Sequence, residues 1–210
     1  MATAEQLQRL WTAEDFLATD QYAFGDAWRY ELVDGEIVAH AAPSPDHGAI
    51  LSGLTTALGN RLLGNRDGFR PEVGSGAVPQ RRQRNTARIP DAMIRCGEHP
   101  KVVFEVLSPS ELRQWRSRDR KRLDLQVVEG VREIVEIYQD EYALHVYRLA
   151  PDGSWDFEAI GGQDATLRLA SVGIEIPVAE IYAFTVPGQE PDAAADAAAD
   201  AAADAAAEPL

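Results

Sequence analysis

Residues 88–110 read RIPDAMIRCGEHPKVVFEVLSPS. Within them Val102-Val103-Phe104-Glu105-Val106-Leu107, β-branched and aromatic and bounded by Pro100 and Ser108-Pro109, has the composition of a buried strand. Glu105 stands at its centre, and a second carboxylate, Asp91, follows Pro90 where the preceding strand candidate begins. A carboxylate in such a strand is costly to bury unless it is paired, neutralised by a shifted pKa or bound to a metal. Strand alternation turns Val102, Phe104 and Val106 to one face and Val103, Glu105 and Leu107 to the other, so Glu105 projects at one selected surface. If the two strands pair, the carboxylates of Asp91 and Glu105 converge.

Outward from this segment the chain alternates strand and helix signals. Thr12 can cap a short helix whose apolar face begins at Phe16 and Leu17. RYELVDGEIVAH, residues 29–40, places two alternating runs around Asp34-Gly35, a pair suited to the positive φ values of a type I′ turn, and predicts a hairpin. Ser44 with Pro45 and Asp46 predicts a helix start, and Ile50, Leu51, Leu54, Leu58 and Leu62 form its apolar face up to Gly64. Residues 69–107 give several short strands. A second helix follows, with Leu123, Val127 and Val128 as its inward positions and Gly130 as its stop. VREIVEIY, EYALHVYRL, SWDFEAI, TLRL and IEI read as strands that finish the sheet, and Pro177 to Tyr182 as a closing helical turn. Strands and helices in this order predict an α/β (α+β) fold with a mixed central sheet flanked by helices.

The single cysteine, Cys96, leaves oxygen ligands as the donors for any metal. The first residues carry acidic groups and no long apolar stretch, which predicts neither a signal peptide nor a membrane span, and a cytoplasmic protein. We divide the chain into one domain, residues 1–186, and an acidic Ala/Asp-rich tail, residues 187–210, with no large apolar residue to dock before Leu210, which predicts disorder. The net charge of −14 argues against a polyanionic partner until its distribution is considered. From Glu190 onward there are six acids and no base, and without them the charge is about −8. Arg81, Arg82, Arg84 and Arg88 precede the two-carboxylate segment closely, and Arg113, Arg116, Arg118, Arg120, Lys121 and Arg122 follow it. These arginines are candidate contacts to a phosphate backbone, with a solvated charged face as the alternative.

Two converging carboxylates repel, and one stays protonated unless a cation joins them. A hard divalent ion, Mg²⁺ or Mn²⁺, accepts one or two carboxylates and keeps waters and substrate phosphate oxygens as its other ligands. Flanked by basic stretches, the pair fits metal-assisted phosphodiester hydrolysis. A structural pairing of Glu105 with an arginine is the other reading.

Four motifs in order, YELVDGEIV (30–38), PSPDHGAIL (43–51), RIPD (88–91) and VVFEVLSPS (102–110), resemble the Uma2 family, also described as DUF820, of the PD-(D/E)XK nuclease superfamily. The resemblance covers Thr12 to Leu149. It implies a restriction-endonuclease-like core and an Mg²⁺-dependent nuclease site in which Asp91 matches the Asp of the PD pair and Glu105 the second acid. The superfamily lysine position, two residues after the second acid, is Leu107 here; in the Uma2 family the lysine stands on the following helix. Lys121 is the candidate, although counting back from Gly130 puts Arg122 at the usual position. Glu31 matches an acid of the family's hairpin motif and is an auxiliary candidate, as is His47. The resulting expectation is an endonuclease acting on DNA, by analogy a homodimer. The alternative is a catalytically impaired nucleic-acid-binding or assembly module of the same fold.

Overall fold

Every side chain from Val102 to Leu107 is buried. The computed structural model, which describes residues 10–188 apart from 26, 28, 41, 65–66, 80–84, 109–111 and 113–114, builds this run into β5 (His99–Leu107). Before it come α1 (Ala13–Ala18), a 3-10 turn at Gln21–Ala23, β1 (Arg29–Val33), β2 (Glu36–His40), α2 (Pro45–Leu62), β3 (Phe69–Val73) and β4 (Ala92–Cys96). After it come α3 (Trp115–Gln126), β6 (Glu133–Tyr138), β7 (Ala143–Leu149), β8 (Trp155–Gly161), β9 (Thr166–Leu169), β10 (Ile174–Pro177) and α4 (Val178–Ile181). β3 to β8 form one six-stranded sheet in chain order. Its pairs are antiparallel except β5 with β6. A parallel pair needs a crossover, and α3 lies within it.

The local signals operate as their chemistry dictates. Thr12 Oγ1 accepts from Asp15 N–H, and Ser44 Oγ accepts from His47 N–H behind Pro45. Asp34 at φ 50° and Gly35 at φ 89° turn β1 into β2. The even face of β5, with Val102, Phe104 and Val106, packs against Ile50, Leu54 and Leu58 of α2 and against α4. Val103 on the odd face packs with Leu125 of α3, Val128 and Ile134. Helices therefore lie on both faces, and Glu105 belongs to the α3 side.

Two expectations are corrected. β9 and β10 do not finish the sheet but pair with each other, and β1 and β2 likewise stand as a separate hairpin. Leu167, Leu169 and Ile176 of the β9–β10 pair close the core that α2 and β5 share, a burial that extending the sheet would forfeit. Leu123, assigned inward, is 52% exposed, while Leu125 is fully buried; the helix is rotated to turn Lys121 and Asp124 toward the sheet side. The expected tail lies, beyond Gly188, outside the described residues. Among the described residues no helix is long and apolar enough to cross a membrane.

Candidate active site

β4 runs antiparallel to β5 with Ala92 opposite Phe104, so Asp91, one residue earlier, falls opposite Glu105 on the same face. Val106 N–H donates to Asp91 Oδ2 at 2.8 Å, fixing the carboxylate to the strand that carries Glu105. Asp91 Oδ1 accepts from Arg29 Nη1 at 2.7 Å, and His47 Nε2 stands 3.4 Å away. Burial works to raise the Asp91 pKa, but the His47 contact and the charges of Arg29 and Lys121 outweigh it and hold the group well below the usual carboxylate range. Asp91 is an anion at all ordinary pH values.

Glu105 has a different environment. Its Oε2 accepts from Lys121 Nζ at 2.8 Å, while Oε1 is buried with no hydrogen-bond partner among the described residues. Burial pushes its pKa up to about 8, with Lys121 opposing and Asp91 assisting the rise. Lys121 reaches the pair from α3, and its Nζ also stands 3.0 Å from Glu31 Oε1. Burial would lower the lysine pKa, but Glu105 and Glu31 raise it above its ordinary value, so the ammonium stays charged. Arg122, the other register candidate, turns away: its Nη1 donates to Tyr147 Oη at 3.2 Å and lies 3.6 Å from Glu136 Oε1.

Glu31 is fully buried, two residues before a turn where a solvated side chain would be ordinary. Its Oε1 accepts from Ile89 N–H at 3.0 Å, and its Oε2 accepts from Arg88 at 2.9 Å. Burial acts to raise its pKa, but Lys121, His40 and Arg88 hold it well below the ordinary value. Arg88 also donates twice to Asp124 Oδ2, at 3.0 and 2.7 Å, and is 6% exposed. This corrects its assignment to the phosphate-contact face: the guanidinium joins β1 to α3 inside the protein. Arg116 is exposed and Arg118 and Arg120 partly exposed; Arg118 lies near Glu136, and Arg120 pairs with Asp34 of the hairpin turn. Arg81, Arg82, Arg84 and Arg113 lie outside the described residues.

A cleft of about 200 Å³ opens over this face, lined among others by Glu31, His40, Glu105, Lys121, Arg122 and Glu136. Whether the acids suit a divalent cation turns on Glu105. An orphaned, desolvated carboxylate oxygen beside a permanently ionised Asp91 gains from a cation what it otherwise gains from a proton. No set of three or more His, Cys, Asp and Glu side chains is arranged around one point among the described residues. A donor set of two carboxylates would leave the other positions of a hard divalent ion such as Mg²⁺ to water.

Four residues of this region escaped sequence reasoning. Arg29 alternates with Glu31 on one face of β1, a two-residue spacing that could have flagged it. Gln139 Nε2 lies 3.4 Å from His47 Nδ1 while its Oε1 accepts from Ser44 Oγ at 2.9 Å, so it positions the imidazole behind Asp91. Asp124 carries no local signal, because its partner Arg88 comes from a distant strand bridge. Glu136 stands beside Glu105 in the parallel register.

The model of the Uma2 family, described as "Putative restriction endonuclease", matches residues 13–179. Among solved structures, the chain is similar to "a putative nuclease belonging to DUF820" from Anabaena variabilis, with a TM-score of 0.64 and 17% identity over 83% of this chain and 99% of that one. No curated protein matches it.

Proposed function

Since the chain belongs to the Uma2 family, we propose that it is a nuclease that hydrolyses phosphodiester bonds in DNA with Mg²⁺ or Mn²⁺ at Asp91 and Glu105. The observation that carries this reading is the approach of Lys121 Nζ to 2.8 Å of Glu105, on the face where the strand register sets Asp91 against Glu105. The cation, when bound, supplies Lewis-acid stabilisation of the charge on the phosphoryl oxygens and lowers the pKa of water. Asp91 is the permanently ionised ligand, aligned by Arg29, His47 and the Val106 amide. Glu105 is the ligand whose proton the cation replaces. Lys121, held protonated between Glu105 and Glu31, does not accept a proton; it orients water and offsets negative charge at phosphorus. In this reading Arg116 and Arg118 contact phosphate, and a homodimer in the cytoplasm would bring two such sites to the two strands.

Two observations favour a second reading, an impaired binding or assembly module. Leu107 fills the superfamily's lysine position, and Arg29 already neutralises Asp91 from within the chain. A plasmid cleavage assay with Mn²⁺ distinguishes the two. Lys121→Ala is expected to lose at least about 100-fold in rate with metal affinity nearly intact, whereas Arg122→Ala mainly weakens nucleic-acid binding and flattens its salt dependence. A wild-type protein that binds DNA and cuts none under any divalent ion would replace the enzyme with the module.

A further inference from the structure

Beside the acids, the α3 face of the sheet continues as a tract of rings. Strand register puts Glu136 next to Glu105, His145 opposite Glu136, Tyr147 opposite Ile134 and Phe157 opposite Tyr147, all on one face. His145 meets Tyr138 edge-on at a centroid distance of 4.8 Å and Phe157 at 4.9 Å, and Tyr147 meets Phe157 at 5.3 Å. Arg122 lies 4.5 Å above the Tyr147 ring. Phe157, at the far end on the edge strand β8, is 56% exposed, which leaves its ring open to a stacking partner.

The guanidinium groups on this face are ion-paired with acids of the same chain. Glu136 is 2% exposed, with Arg118 and Arg122 nearby, and Asp119 pairs with Arg122. Asp156 and Glu158 alternate to the opposite face of β8, where Glu158 pairs with Arg148. Exposed and half-buried rings interleaved with guanidinium groups form the arrangement that stacks bases while tracking phosphates. A flat duplex offers phosphates to such a surface but keeps its base faces hidden in the stack.

We propose that the β6–β8 face is a base-stacking platform that takes at least one unpaired nucleotide of a polynucleotide strand, with Phe157 and Tyr147 receiving the base and Arg118 and Arg122 the phosphate. This deepens the nuclease reading and rests on it for the chemistry next door, because the platform adjoins Glu105 through Glu136. The preferred substrate then carries a single-stranded segment: a flap, a gap or a free strand.

The test measures equilibrium binding by fluorescence anisotropy in EDTA, with a single-stranded 20-mer of DNA, the same sequence as RNA, and the DNA duplex. Wild type is expected to bind a single strand more tightly than the duplex. Phe157→Ala is expected to weaken single-strand binding about tenfold and to leave the duplex nearly unchanged, with Phe157→Trp restoring it. The DNA and RNA arms assign the sugar. Duplex preference, equal single-strand affinity in Phe157→Ala, or a Phe157→Ala variant that changes oligomeric state instead of binding each overturns the platform. Single-strand binding through Phe157 by a protein that cuts nothing keeps the platform and removes hydrolysis. Normal cleavage by Phe157→Ala with unaltered strand preference does the reverse.

Discussion

Glu105 binds its proton more tightly than an exposed glutamate because burial penalises the anion more than Lys121 favours it. The unfolded group ionises near 4.5 and the folded one at about 8. Between these values the folded protein holds a proton that the unfolded chain has released, so this group's contribution to stability is full below 4.5 and falls as pH rises toward 8. Metal-free wild type is expected to melt at progressively lower temperature across that window, and Glu105→Gln, which has nothing to titrate there, to show a shallower slope. Parallel slopes would mean that Glu105 is ionised in the folded protein at neutral pH. Asp91 has the opposite sign: its ion pairs stabilise above the unfolded carboxylate pKa and fade only in strong acid. The sequence carried the two acids, since Pro90-Asp91 and an apolar run with one glutamate are local signals. Lys121, the partner of Glu105, is reached through the family resemblance, while no local signal ties Arg29 to Asp91, its ion-pair partner. Arg29 is 62 residues from Asp91 and Arg88 is 36 from Asp124, and such separations are closed only by the placement of the hairpin and α3 over the sheet.

At the scale of elements, α2 and α3 illustrate what periodicity reveals and what packing decides. α2 presents a continuous apolar face, and Ile50, Leu54, Leu58 and Leu62 are buried as its 3.6-residue spacing requires. α3 is rich in arginine and offers both Leu123 and Leu125, so spacing alone leaves its rotation open. The partners settle it: Leu125 meets Val103 and Ile134 while Lys121 meets Glu105 and Glu31. α2 also approaches α4 closely, at Gly53, where a Cβ would collide with the carbonyl oxygen of Ile181. Gly53→Ala is therefore expected to destabilise the protein by about 1–3 kcal/mol in urea denaturation despite alanine's better helix propensity. A neutral or stabilising result would place the two helices further apart than described. Losing Ser44 Oγ removes both the N-cap of α2 and the acceptor-side anchor of Gln139, so Ser44→Ala is expected to cost about 1 kcal/mol and to lower cleavage through His47.

For the whole molecule, the sum of charges hides its arrangement. Six acids lie from Glu190 onward, while Arg116, Arg118 and Arg120 stand on the α3 side near the cleft. A chain ending at Gly188 is expected to keep its melting temperature within about 2 °C, because the segment removed has no large apolar residue before Leu210. The same truncation should bind DNA more tightly at low salt, with the difference shrinking as screening shortens to about 8 Å near physiological ionic strength. A drop of many degrees would show that the acidic segment docks on the domain.

The central claim is that Asp91 and Glu105 jointly hold a divalent cation, and calorimetric titration with Mn²⁺ at pH 8.5 tests it most directly. There Glu105 has largely lost its proton, so proton competition is small. Wild type is expected to take up Mn²⁺ at Asp91 and Glu105, with Asp91→Ala and Glu105→Gln each weakening it at least about tenfold and Lys121→Ala leaving it nearly unchanged. Equal Mn²⁺ binding by wild type and both acid variants, or no binding by any of them, would contradict the claim.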